Sequence, residues 1–206
     1  MLKTILKKFM LGFLLFGSIS TYAQVSIYGS AGVNYSHISF DNYEFDLSSE
    51  TSNGGFLTVG ISIPISQKLY LINELNASVY SSKILILNGT PESTYNQLNI
   101  QTGLGYQLGP IRLEGGVMIG KTLSHNLSFE DTRTVNESYS DSDNINLNVF
   151  AGLNLSITKN IGLFSRYYHG LNQFGEFNLL DFQGNAAGVF RENMKNLQIG
   201  LSFLIL

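Results

Sequence analysis

Residues 144–157 read NINLNVFAGLNLSI, and the alternation within this stretch decides the fold. Ile145, Leu147, Val149, Ala151, Leu153, Leu155 and Ile157 are apolar. Between them stand Asn144, Asn146, Asn148, Phe150, Gly152, Asn154 and Ser156, of which only Phe150 is large and apolar. A period of two places the sets on opposite faces of a strand. Asparagines compete with the backbone for hydrogen bonds and so disfavour a helix. The run is long enough for a strand crossing a bilayer at a tilt, which takes roughly 9–11 residues.

The pattern recurs on both sides of this stretch. Strands are predicted over 25–40, 56–63, 69–80, 96–108, 111–123, 144–157, 161–171 and 194–206. Each carries an apolar set against Asn, Gln, Ser, Thr and Gly. Asn73 interrupts the apolar set of the third strand, and Pro64 closes the second because proline cannot donate to a ladder. Ser66-Gln67-Lys68, Gly109-Pro110 and Thr158-Lys159-Asn160 make short turns. Residues 41–55, 82–94, 124–143 and 172–193 are long, polar connections, in which Ile84–Leu87 can extend a hairpin beyond the membrane. Short and long connections alternate, as in outer-membrane barrels with short periplasmic turns and longer external loops. A sandwich core would have to be apolar on its inner faces. The expected fold is all-β: a single antiparallel up-and-down transmembrane β-barrel of about eight strands.

Composition agrees. The chain has 206 residues, 13% of them charged, about half the soluble average of roughly 25%. Its first 23 residues, with Lys3, Lys7 and Lys8 before the apolar run Phe9–Phe16 and with Thr21-Tyr22-Ala23 at the end, read as a signal peptide. Residues 24–206 are then the barrel domain. Without the leader's three lysines, nine basic residues face fifteen acidic ones, a net charge of −6. That disfavours nucleic acid as a partner, since such binding neutralises phosphates with Lys and Arg. With no cysteine, disulfides and a lipidated N-terminal cysteine are excluded.

The polar face holds Glu74, Arg112, Glu114 and Arg166. Charges at membrane depth are costly unless paired or wet. The expectation is an interior charged network that plugs a barrel just wide enough for side chains to fill. The alternative is a gated ion path. His169 has Leu171 two positions on, where an outer-membrane lipid hydrolase would carry its serine; leucine cannot act as a nucleophile. His169 is expected to be interfacial, and the protein not to be an enzyme. His37 near the outer end of strand one and His125 in the third long connection show no partner in the sequence. The loop acids Asp41, Glu44, Asp46, Glu50, Glu130, Asp131, Glu137, Asp141 and Asp143 match no metal-loop spacing. No cofactor or metal is expected.

Residues 166–172, RYYHGLN, resemble the R-Y-x-Y-G-L-T/S-N stretch of small outer-membrane β-barrel proteins of Bacteroidetes, the PorT-like family. Residues 195–203, KNLQIGLSF, are similar to its closing strand, K-N-x-x-Q-x-G-L-x-Y/F. Leu206 departs from the usual terminal aromatic. The resemblance implies secretion, insertion by the barrel assembly machinery and no uniform activity. The expected function is non-enzymatic: an envelope protein whose external loops contact lipopolysaccharide, other envelope proteins or a host surface. A narrow channel is one alternative. A soluble periplasmic barrel holding an apolar ligand is another, because alternation alone fits either face inward. The scarcity of charge and abundance of glycine on the polar face, and the unequal loops, favour the apolar face outward.

Overall fold

A computed structural model describes residues 25–41, 48–85, 92–128, 134–137, 145–172, 175–180 and 186–206. The expected leader lies outside the described residues, as do Glu44, Asp46, Glu130, Asp131, Asp141 and Asp143. The strands are β1 (Ser26–Asp41), β2 (Ser48–Pro64), β3 (Leu69–Leu85), β4 (Glu92–Leu108), β5 (Ile111–Ser128), β6 (Thr134–Glu137), β7 (Ile145–Ser156), β8 (Ile161–Gly170), β9 (Gly175–Leu180) and β10 (Ala186–Leu204). Eight of them form a closed antiparallel barrel in the order β1-β2-β3-β4-β5-β7-β8-β10, with β10 pairing back to β1. The short β6 pairs with the end of β5, and β9 with the start of β10. Closure leaves the barrel without a free edge, as a lipid environment requires.

Which face points outward is visible on the eight barrel strands. On β7, Asn146 and Asn148 are fully buried while Leu153 is 52% exposed. Leu57, Ile100 and Ile119 likewise stand 67%, 66% and 54% exposed on neighbouring strands. The outside is an apolar band and the inside is polar, so the soluble barrel with an apolar lumen is overturned. Asn73 faces outward and accepts a hydrogen bond from Thr102 Oγ1 on the next strand at 2.8 Å. Two polar groups on the apolar surface thus satisfy each other.

The short turns are closed locally. Ser66 Oγ accepts from the Leu69 amide at 3.2 Å, and Thr158 Oγ1 from the Ile161 amide at 3.0 Å. Gly109 has φ +61° ahead of Pro110, the positive dihedral that a two-residue hairpin turn favours.

Several strands run further toward the long connections than the sequence indicates. β2 starts at Ser48 rather than residue 56, β3 runs on to Leu85, β4 starts at Glu92 and β10 at Ala186. β6 and β9 fall in stretches read as loops. Strands of 16 to 19 residues exceed the bilayer's need, so these ends project beyond it. There the outer face meets water rather than lipid, while inward residues such as Ser82, Ser93 and Tyr95 stay buried, so the apolar alternation that signals a lipid-facing strand is absent. A bulge adds a further correction. Asn96 pairs with Ser124 but Gln97 with Thr122, so Leu123 is an extra residue in β5. Beyond it, His125 points inward from β5 rather than lying in a loop.

Candidate functional site

The barrel interior brings Glu74, Arg112, Glu114 and Arg166 into one cluster from β3, β5 and β8. Arg166 sits at its centre. Its Nη1 and Nη2 donate to Glu74 Oε2 and Oε1 at 2.5 and 2.8 Å, a bidentate pair. Its Nε and Nη2 both reach Glu114 Oε2 at 2.7 Å. The other Glu114 oxygen accepts from Arg112 Nε at 2.8 Å and Nη2 at 2.7 Å. Two cations and two anions share the cluster, so its formal charge is zero. Arg166, Glu74 and Glu114 are buried, and in a low-dielectric interior pairing is what makes such burial tolerable.

Neighbouring side chains complete it. Tyr28 on β1 donates its hydroxyl to Glu74 Oε1. The Arg166 guanidinium lies 5.0 Å from the Phe164 ring centre and 5.5 Å from that of Phe150, within the range for attraction to a ring face. Arg112 lies 5.9 Å from the ring centre of Tyr70. Phe150, the exception in the polar set of residues 144–157, is therefore an interior residue. It packs with Met118 and Tyr168 as well as with Arg166.

Glycines make the room. Glu114 pairs in register with Gly105 on one side and Gly152 on the other, and Arg166 pairs with Gly152. Glu74 and Tyr28 both pair with Gly60. A Cβ on Gly60 would sit 2.6 Å from the Tyr28 ring and 2.8 Å from Glu74 Cγ. A Cβ on Gly152 would sit 2.5 Å from Arg166 Cγ. Each long charged side chain thus spreads over a position with no side chain of its own. Tyr28 and these glycines are the members that sequence reasoning missed. The signal available was their place in the polar set of each strand.

At the turn end a polar cavity of about 370 Å³ is lined by Ser26, Ser62, Gln107 and Asn154, and also by Tyr28 and Arg112, so it reaches the cluster. Toward the long connections the interior is filled. Tyr80, Tyr95, Tyr168, Gln97, Gln101 and Met194 are each less than 2% exposed. Asn99 Nδ2 donates to Asn76 Oδ1 at 2.9 Å, Asn76 Nδ2 to Thr58 Oγ1 at 2.7 Å, and Tyr168 to Gln101 Oε1 at 3.0 Å.

His125 stacks on Tyr95 with ring centres 4.3 Å apart, and its Nε2 lies 2.6 Å from Ser93 Oγ. Both residues are buried, which leaves a substrate no approach to the serine. His125 lies past the bulge at Leu123, on the part of β5 that projects toward the long connections. Burial there lowers its pKa to about 4. His169 faces outward, and Leu171 is 53% exposed two positions on. Asn172 extends the β7–β8 ladder with its side chain: it accepts from the Leu147 amide at 2.6 Å and donates to the Ile145 carbonyl at 2.7 Å. Among the described residues no group of His, Asp or Glu could hold a metal ion.

An eight-stranded barrel with an apolar exterior and a polar interior is an integral outer-membrane β-barrel, and the cell outer membrane is where this chain resides. The chain shares its fold with Neisserial surface protein A, at a TM-score of 0.55 and 13% identity over 87% of this chain and 97% of that one. It is also similar to Ail, the attachment invasion locus protein of Yersinia pestis, solved with the heparin analogue sucrose octasulfate (TM-score 0.49, 13% identity, 88% and 99% covered). A further similar structure is the outer membrane protein OprG from Pseudomonas aeruginosa (TM-score 0.47, 9% identity, 87% and 95% covered). No protein-family model and no curated protein sequence matches the chain.

Proposed function

We propose that this barrel is a closed, non-enzymatic scaffold of the PorT-like kind, whose external connections contact lipopolysaccharide, neighbouring envelope proteins or a host surface. The observation that carries the reading is the filled lumen. Arg166, held by Glu74 and Glu114, spans the interior between β3, β5 and β8, and tyrosines, amides and Met194 occupy the space toward the loops. In a barrel this narrow, side chains fill the interior and exclude an aqueous channel. The R-Y-Y-H-G-L-N and K-N-L-Q-I-G-L-S-F stretches support the PorT-like assignment. With the PorT-like resemblance comes export by a signal peptide and insertion by the barrel assembly machinery.

The polar cavity at the turn end, which reaches Arg112, favours a second reading, a narrow channel gated by the cluster. Conductance of the purified protein in planar bilayers separates the two. The closed scaffold gives no stable unitary current. A stable, ion-selective current abolished by Arg112→Ala would overturn it.

A further inference from the structure

Two register rows cross the outer surface of β1, β10 and β8 near the long connections. The lower row is Tyr35–Leu197–Tyr167, each partner directly opposite the next. Two residues further toward the loops lies the row His37–Lys195–His169, paired in the same way. All six side chains point away from the interior: the residues between them (Ser36, Asn196 and Tyr168) are buried.

Each row has a reading in lipid. Tyrosines with apolar bodies and polar tips mark the membrane–water interface, and outer-membrane barrels carry aromatic girdles there. The second row lies about 7 Å further along the strands, at roughly 3.4 Å per residue. On strands tilted by about 35–45° this brings the second row roughly 5 Å nearer the loop-side surface than the tyrosines. Directly opposed Cβ atoms are about 4.5–5.5 Å apart, so three nitrogen-bearing side chains lie side by side over three strands. Lys195 brings a positive charge with three donors, and each imidazole brings an N–H in either protonation state. The outward neighbours one pair along the strands from Lys195 and His169 (Asn193, Leu197, Tyr167 and Leu171) are not acids.

We propose that His37, Lys195 and His169 form a binding site for the phosphate of a lipid headgroup in the loop-side leaflet. The site holds the lipid from the flank of the barrel, its acyl chains running down past the tyrosine row along β1, β10 and β8. This rests on the reading of the exterior as a lipid surface with the long connections outward. It deepens that reading by giving the lipid partner a place and a chemistry. The contacts are charge-assisted hydrogen bonds from lysine and imidazole to phosphate oxygens.

The test uses the full-length barrel in phosphatidylcholine nanodiscs containing diphosphoryl lipid A or the same lipid dephosphorylated. Bound lipid is counted by native mass spectrometry after release into detergent. Preferential retention of the phosphorylated lipid is expected. K195S should weaken it about fivefold, from roughly 1 kcal/mol per basic residue at a charged lipid surface. H37S/K195S/H169S should weaken it further, and added inorganic phosphate should displace little. Equal retention of both lipids, or a triple variant that retains as much as the parent, overturns the site. A gel-mobility shift on heating, run on the same samples, keeps the two readings apart. A barrel that inserts but does not discriminate sinks only the phosphate site, whereas one that fails to insert sinks the lipid-facing reading as well.

Discussion

Replacing Arg166 with methionine tests the interior cluster directly. The guanidinium makes two contacts to Glu74 at 2.5 and 2.8 Å and two to Glu114 at 2.7 Å. At about 1.5–3 kcal/mol per charged hydrogen bond, a plain sum would run to about 6–12 kcal/mol. That sum counts shared desolvation more than once, and Glu114 keeps Arg112 while Glu74 keeps Tyr28. Removing one partner from a buried ion pair costs about 3–5 kcal/mol, because it strands a buried charge. We take that range for Arg166→Met. With a denaturant slope of about 2–3 kcal/mol/M, the urea midpoint of the barrel in lipid vesicles should fall by roughly 1–2.5 M. The gel shift on heating reports folded against unfolded protein at each urea concentration. Adding Glu74→Gln to Arg166→Met should cost much less than the two single changes summed, since they share one interaction. A midpoint within about 0.3 M of the parent, or a cycle with no coupling, would refute the reasoning.

Four further outcomes follow from the geometry. Gly152→Val places carbon into space held by Arg166 and the Ser165 carbonyl, 2.5 Å from a Cβ, and should lower stability by about 1–3 kcal/mol. Gly115→Ala, whose Cβ would meet only Phe150 O at 3.5 Å, should leave the urea midpoint nearly unchanged. At the outer surface, Asn73→Leu with Thr102→Val removes a mutually satisfied polar pair and should stabilise the barrel. Thr102→Val alone should help less, because it leaves the Asn73 oxygen without its donor. A double variant less stable than the parent in vesicles would contradict this. Because burial lowers the folded pKa of His125 to about 4, below the ordinary imidazole value of about 6.5, the unfolded form binds the proton more readily between those values. Stability at the loop end of β4 and β5 should therefore fall as pH drops from about 6.5 toward 4. Amide exchange of these strand ends should speed up over that window, and His125→Phe should remove the dependence.

The barrel was legible because lipid imposes one rule on every crossing segment. Residues such as Ile145, Leu147 and Val149 must face out, so the alternation repeats eight times. Glu74, Arg112, Glu114 and Arg166 were visible for the same reason, as charges on the inward set. Where water replaces lipid, the rule lapses. The start of β2 at Ser48, the whole of β9 and the inward turn of His125 after Leu123 leave no periodic trace. Gly60, Gly105 and Gly152 stood in plain view, yet their purpose depends on which residue lies across the strand. That register is a property of the closed barrel.

The seam between β1 and β10 has a consequence for how the chain comes to be in the membrane. Fourteen positions, from Tyr28 opposite Leu204 to Asp41 opposite Arg191, join residues 150 to 176 apart in sequence. The other barrel pairs join neighbours across a turn or loop and can zip as soon as both strands exist. The seam cannot form until β10 is present, and until then β1 has one row of amides and carbonyls unanswered. In hydrocarbon such a row costs several kcal/mol per group. A partly emerged chain therefore has no stable resting place in the bilayer. Insertion has to proceed with the open edges sheltered, and the closing ladder then forms as the final, committing event.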